Sequence, residues 1–229
     1  MKKIFSTDWK YGIKCLYFST IVSLLIIAYY NINSGIVISS DSKTYSEWAD
    51  ILIKLNFNLY NYYSQNTFIN PNYIYTIPVL LIAILKVIFG TEWQIAFFYV
   101  NLVLLIFSII IFSKSLQLLK VRPLIISFAM PILTLSVDLL TWPRYILTDV
   151  MFSFLVLLLI FIMIKDIVNK QQSYLYILLM IILIYLTRPT SLPFIFAIVS
   201  FIGLNKLKYS KRFILTSFLT LIIFMPFLF

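Results

Sequence analysis

Charge in this chain is confined to short clusters between long apolar runs, and that spacing leaves few folds open to it. Only 11% of its 229 residues are charged and 62% are hydrophobic, with a mean hydropathy of +1.00. An ordinary soluble domain carries about 25% charged residues. Inside a bilayer the backbone must satisfy its own hydrogen bonds, and apolar runs of this length do so as helices. The expectation is an all-α polytopic membrane protein. On a soluble chain a net charge of +10 would point to nucleic acid. Here the basic residues fall between apolar runs, as cytoplasmic loops do, so no nucleic-acid partner is expected.

The apolar runs are 15–32, 95–112, 123–137, 151–164, 174–186, 192–204 and 213–229. A further run, 77–89, is short, contains Lys86, opens at Pro78 and stops at Gly90. Those features suit an interfacial or re-entrant helix better than a span. With 77–89 uncounted and the N-terminus cytoplasmic, the inner segments collect Lys2, Lys3, Lys10 and Lys14, then Lys114, Lys120 and Arg122, then Lys165 and Lys170, then Lys206, Lys208, Lys211 and Arg212. Their only acids are Asp8 and Asp166. Counting 77–89 as a span would put the later clusters outside, against the positive-inside tendency. Seven spans in one transmembrane domain over 1–229 follow, with 33–93 as a long first outer loop. The N-terminal segment has no small-residue cleavage site and is expected to be a retained anchor in a plasma (inner) membrane. The sequence ends at Phe229 within an apolar run, as expected for the N-terminal part of a longer protein.

With no histidine and one cysteine, Cys15, imidazole bases, Ser-His triads, His-ligated zinc and an intramolecular disulfide are excluded. Any catalysis rests on carboxylates, Tyr, Lys, Arg or a carboxylate-held metal. On this topology Asp41 and Asp149 both lie at outer ends of spans. Asp41 opens a helix in which Thr44 and Glu47 have capping-box spacing, and Tyr45 and Trp48 suit a membrane interface. Arg144 and Asp149 either pair with one another or face a wet cavity. Asp138 reads as a solvated terminus or structural partner. Arg188, between Thr187 and Pro189, either snorkels to lipid phosphate or grips a substrate phosphate, and Lys86 has the same two roles open. The Asn- and Tyr-dense segment 56–75 suits either an aromatic belt or sugar stacking.

Two strings resemble those of the GT-C membrane glycosyltransferases: Ser40-Asp41-Ser42 with Tyr45 soon after the first span, and Arg144-Tyr145-Ile146-Leu147-Thr148-Asp149. The second is similar to the Arg-Tyr-Ile-Leu-x-Asp string of protein O-mannosyltransferases, and the lipid A aminoarabinose transferases share the layout. Segment 78–93, closing in Phe89-Gly90-Thr91-Glu92, is similar to the stretch before a span in those families. The mannosyltransferases carry paired Asp-Glu where this chain has Asp41-Ser42. The resemblance implies a GT-C-like helical bundle whose first outer loop holds juxtamembrane helices. It also implies a polyprenyl-phosphate sugar donor and a lipid, glycan or protein acceptor on the outer face. Asp41 then stands as base toward the acceptor and Arg144 and Arg188 as donor-phosphate ligands, with Tyr45 and Lys86 as further substrate contacts. Asp149 would orient Arg144 or, with Asp41, help hold a divalent cation. No cofactor is required by these residues. A transporter or flippase component for lipid-linked saccharide, a polysaccharide polymerase and an assembly subunit are the competing functions.

Overall fold

The computed structural model describes residues 2–64, 75–134, 136, 140–169 and 173–188, and among these every regular element is a helix. The expected spans 192–204 and 213–229, together with Pro71 and Asp138, lie outside the described residues. Helix α1 is Lys2–Ser34, α2 Ser40–Lys54, α3 Leu59–Ser64 and α4 Thr76–Phe89. A 3-10 turn, Gly90–Glu92, leads into α5, Trp93–Leu118, and α6 is Pro123–Thr134. A second 3-10 turn, Trp142–Arg144, precedes α7, Asp149–Asn169, and α8 is Tyr174–Tyr185.

Three helical stretches are long and apolar enough to cross a membrane: Tyr11–Ser34, Thr76–Leu118 and Asp149–Asn169. Straight, the 43 residues of Thr76–Leu118 would extend about 65 Å, twice the hydrocarbon thickness. The stretch breaks at Gly90, whose φ of 55° and ψ of −122° no helix accommodates. Thus α4 is a separate 14-residue helix, too short to span alone. The runs expected to form the third and fifth spans appear as α6 and α8, each 12 residues and about 18 Å long.

Helix α6 is held to α1 by a consequence of its own sequence. Pro131 lies inside α6 and has no N–H, so the carbonyl four residues earlier, that of Ser127, loses its helical donor. The Ser19 hydroxyl of α1 donates to that carbonyl at 2.5 Å. Near the start of α6, buried Gly12 lets α1 approach closely, since a Cβ there would meet Leu124 N and Pro123 Cβ at 3.3 Å. Leu16, Ile27, Leu102, Ile109, Ile126 and Met130 fill the space between α1, α5 and α6. Ser19→Ala should strand the Ser127 carbonyl and lower stability by about 1–2 kcal/mol. Thermal unfolding in detergent, against Ser19→Thr as the hydroxyl-retaining control, measures it.

Helices α7 and α8 form a hairpin around Leu155, Leu159, Ile177, Met180 and Ile184. Its turn is closed by Asp166, which accepts from the Ser173 backbone N–H and hydroxyl, both at 2.7 Å. A second layer covers the other end of the bundle. Buried Tyr45, Ala49 and Leu52 on one face of α2 pack against Val79, Ile82 and Ala83 of α4, with Trp93, Phe97 and Ile146 beneath. The charges therefore separate by end. Lys114 and Lys165 line one groove at the end where α1 begins. Arg144, Asp149 and Arg188 lie where α1 finishes.

Candidate functional site

The position of Asp41 is set by the connector between α1 and α2. Gly35, at φ 73°, ends α1, and Arg144 clamps that end, its Nε donating to the Gly35 carbonyl at 2.9 Å and its Nη2 to the Ser34 carbonyl at 2.7 Å. The Val37 N–H donates to the Arg144 carbonyl at 2.9 Å, giving an isolated parallel bridge between Val37 and Tyr145. From α5, the buried Asn101 amide donates to the Tyr145 carbonyl at 3.1 Å. Chain segments far apart in sequence are thereby locked together just before α2 and α7 begin. Arg144 completes a helix C-terminus that has no basic residue of its own, so of the two roles left open for it, pairing with Asp149 is not the one formed.

The capping box of α2 also differs from expectation. It is formed by Ser39 and Ser42, with Ser42 N–H donating to Ser39 Oγ at 3.2 Å and Ser39 N–H to Ser42 Oγ at 3.1 Å, whereas Thr44 and Glu47 were the expected pair. Two serines satisfy the cap, so Asp41 in the first turn keeps its carboxylate exposed. The Ser40 hydroxyl approaches it at 3.5 Å.

Asp149, the first residue of α7, is paired with Arg188 just beyond α8. Their side chains are 22% and 33% exposed, respectively. Arg188 arrives there because the Ile77 N–H, at the start of α4, donates to the Leu186 carbonyl at 3.1 Å. The same bond brings Tyr75 to the cluster. Its ring lies 5.2 Å from Tyr45 and 5.7 Å from Trp48, and Tyr45 lies 5.9 Å from Trp48, centroid to centroid.

Burial raises the pKa of Tyr45 well above the ordinary 10.0, and the neighbouring Tyr75 and the Asp41 charge add to the rise. Burial likewise raises Tyr75, with Arg188 opposing and Asp41 and Asp149 reinforcing the shift. Asp41, Asp149 and Arg188 thus all act on one phenol. The contact between the two phenols adds to the rise at Tyr45 and opposes it at Tyr75. Folding holds these protons more tightly than an unfolded chain would, so stability from them is full below pH 10 and lost as pH rises beyond it. Unfolding midpoints should stay level from pH 7 to about 9.5 and fall above pH 10, with a smaller fall in Tyr45→Phe.

Of the expected site residues, Asp149 and Arg188 pair with one another, and the charges of Asp41 and Arg188 both act on Tyr45. Lys86 is held elsewhere: its ammonium donates to Asp50 at 2.7 Å and to the Ser46 carbonyl at 2.9 Å, and lies 5.2 Å from the Trp93 ring centroid. With a side chain only 12% exposed, it ties α4 to α2 rather than facing the cluster as a substrate ligand. Tyr45 is itself buried, so the half-buried rings of Trp48 and Tyr75 offer the accessible stacking faces. Tyr75 was legible only as part of a Tyr-rich segment; its place directly before the Thr76-Ile77-Pro78 helix start was the available signal. Among the described residues no group of three or more acids, cysteines or histidines gathers to hold a metal, and a cation shared by Asp41 and Asp149 would compete with Arg188.

Among its described residues the chain is all-helical, its three long apolar stretches fit a membrane protein, and two acids, an arginine and stacked aromatics lie at one end of its bundle. No protein-family model, curated protein or solved structure matches it.

Proposed function

We propose that the chain is a GT-C-type membrane glycosyltransferase that moves a sugar from a polyprenyl-phosphate donor to an acceptor hydroxyl on the non-cytoplasmic face. What supports this is the Asp149–Arg188 ion pair and the aromatic cluster of Tyr75 with Tyr45 and Trp48, the last two on the helix whose first turn holds Asp41. The charges of all three ionised groups bias Tyr75, at the end of the bundle away from Lys114 and Lys165. The positive-inside tendency makes the lysine end cytoplasmic and the acid end external, in a plasma-membrane arrangement.

In the proposed reaction the acceptor oxygen forms a bond to the anomeric carbon while the bond from that carbon to the donor phosphate oxygen breaks. The acceptor proton passes to Asp41, whose carboxylate is not consumed by helix capping. The phosphate leaves with the bonding electrons, and its growing charge falls to Arg188, whose planar fork has donors beyond the one given to Asp149. Asp149 keeps that fork oriented. Trp48 and Tyr75 present stacking faces for the sugar, with Tyr45 supporting them. No step needs a metal ion.

A carrier for lipid-linked saccharide would more naturally place ionisable groups within the bundle. The buried polar groups described inside it are neutral, among them Ser23, Asn31, Asn101 and Ser108. The test is a transfer assay on the full chain in liposomes, with polyprenyl-phosphate sugars labelled in the sugar and lipid, glycan and peptide acceptors offered in parallel. Appearance of label on an acceptor supports the proposal; translocation of intact donor with no transfer would favour the carrier.

A further inference from the structure

The opposite end of the bundle holds a second arrangement, which the proposed chemistry does not use. Two grooves meet along α5. One, of about 270 Å³, runs between α1 and α5, with Leu24 and Ile110 along its wall and Lys114 and Gln117 at its end. The other, of about 380 Å³, lies between α5 and α7 and is lined by Lys114, Gln117, Leu118, Phe161, Lys165 and Asn169. Lys114 and Gln117 belong to both.

The charges are one-sided. Lys114 and Lys165 are exposed, and the ion pairs among the described residues join other groups, Lys86 with Asp50 and Arg188 with Asp149. Asp166, beside Lys165 in sequence, has both carboxylate oxygens engaged by Ser173. Two ammonium groups and two side-chain amides therefore line one opening, the Gln117 amide keeping one N–H beyond the one it gives to Ser113 Oγ at 3.3 Å, above apolar walls that lead toward the middle of the bundle.

We propose that these grooves form one binding site for an anionic phospholipid of the cytoplasmic leaflet. The phosphodiester sits between Lys114 and Lys165, with Gln117 and Asn169 as amide donors to its oxygens. One acyl chain lies over Leu118 and Phe161, and the other follows the α1–α5 groove past Leu24 and Ile110. A free phosphate would satisfy the lysines but leave both apolar grooves in contact with water. A zwitterionic headgroup would bring an ammonium beside two lysines, with no acid of the site to receive it. Basic pockets between transmembrane helices at the cytoplasmic side select anionic headgroups by this charge balance. The site stands on the grooves and on the helices lying in a membrane, and is independent of the transferase proposal.

Native mass spectrometry of the full chain, with chain-matched phosphatidylglycerol and phosphatidylcholine added in equal amounts, tests it. The expected result is about a tenfold preference for phosphatidylglycerol, reduced to near parity in Lys114→Gln/Lys165→Gln and kept in Lys114→Arg/Lys165→Arg. Lys43→Gln/Lys54→Gln, on the far end of the molecule, should leave the preference unchanged. Equal binding of the two lipids by the wild type, or an undiminished preference in the double Gln variant, would overturn the site. Displacement of the bound lipid by millimolar glycerol phosphate would also overturn it, by assigning the lysines to a soluble anion.

Discussion

Asp41→Asn is expected to lower glycosyl transfer by about 10²–10⁴-fold, the usual contribution of a positioned general base, while leaving the unfolding midpoint within about 1 °C of wild type. Two observations combine to give this separation. The cap of α2 is closed by Ser39 and Ser42, so the helix does not depend on Asp41, and the Asp41 side chain is exposed, so an amide is accommodated without burial. The amide preserves shape but takes no proton. Asp41→Glu should recover part of the activity, because the longer carboxylate still accepts one. Full transfer by the Asn variant, in membranes with matched expression, would remove Asp41 from the chemistry.

Arg188→Ala carries two effects that a double variant separates. Loss of the guanidinium removes the charge meant for the departing phosphate, and electrostatic donors of that kind contribute about 10²–10³-fold. It also leaves Asp149 without its partner. At 22% and 33% side-chain exposure the pair lies between surface bridges and fully buried ones, so the stability loss should be about 1–3 kcal/mol. Adding Asp149→Asn to Arg188→Ala should restore most of the thermal midpoint, since no unpaired carboxylate remains, yet transfer should stay low. Recovery of activity along with stability would reduce Arg188 to a structural role.

The helices themselves were largely visible in the sequence, because apolar runs must become helices in a bilayer and Gly90 and Pro78 mark the limits of α4. The separate standing of α4 rested on its length, on Lys86 and on those two residues, and α4 is a separate helix. What escaped were interactions whose partners carry no residue signature. Arg144 binds two backbone carbonyls at the end of α1, and a carbonyl is the same at every position. The pairings of Lys86 with Asp50 and of Asp149 with Arg188 span 36 and 39 residues, set by how α2 lies on α4 and α7 on α8. The capping box slipped because Ser39-Ser40-Asp41-Ser42 offers several equivalent hydroxyls, and the pair chosen by the fold has Ser at the third helical position, where Glu is the familiar signal. Arg144 and Lys86, expected at the substrate, instead fix the layer that carries Asp41.

That layer must face away from the cytoplasm for any of this chemistry to occur, and two-sided cysteine labelling decides it. In a Cys15→Ser background, needed because Cys15 is exposed, Lys43→Cys beside Asp41 should react with an impermeant maleimide added to intact cells. Lys114→Cys should react only after the membrane is opened or inverted. Both cysteines reacting from the same side, or Lys114→Cys reacting from outside, would contradict an outer acid–arginine site set opposite an inner basic face.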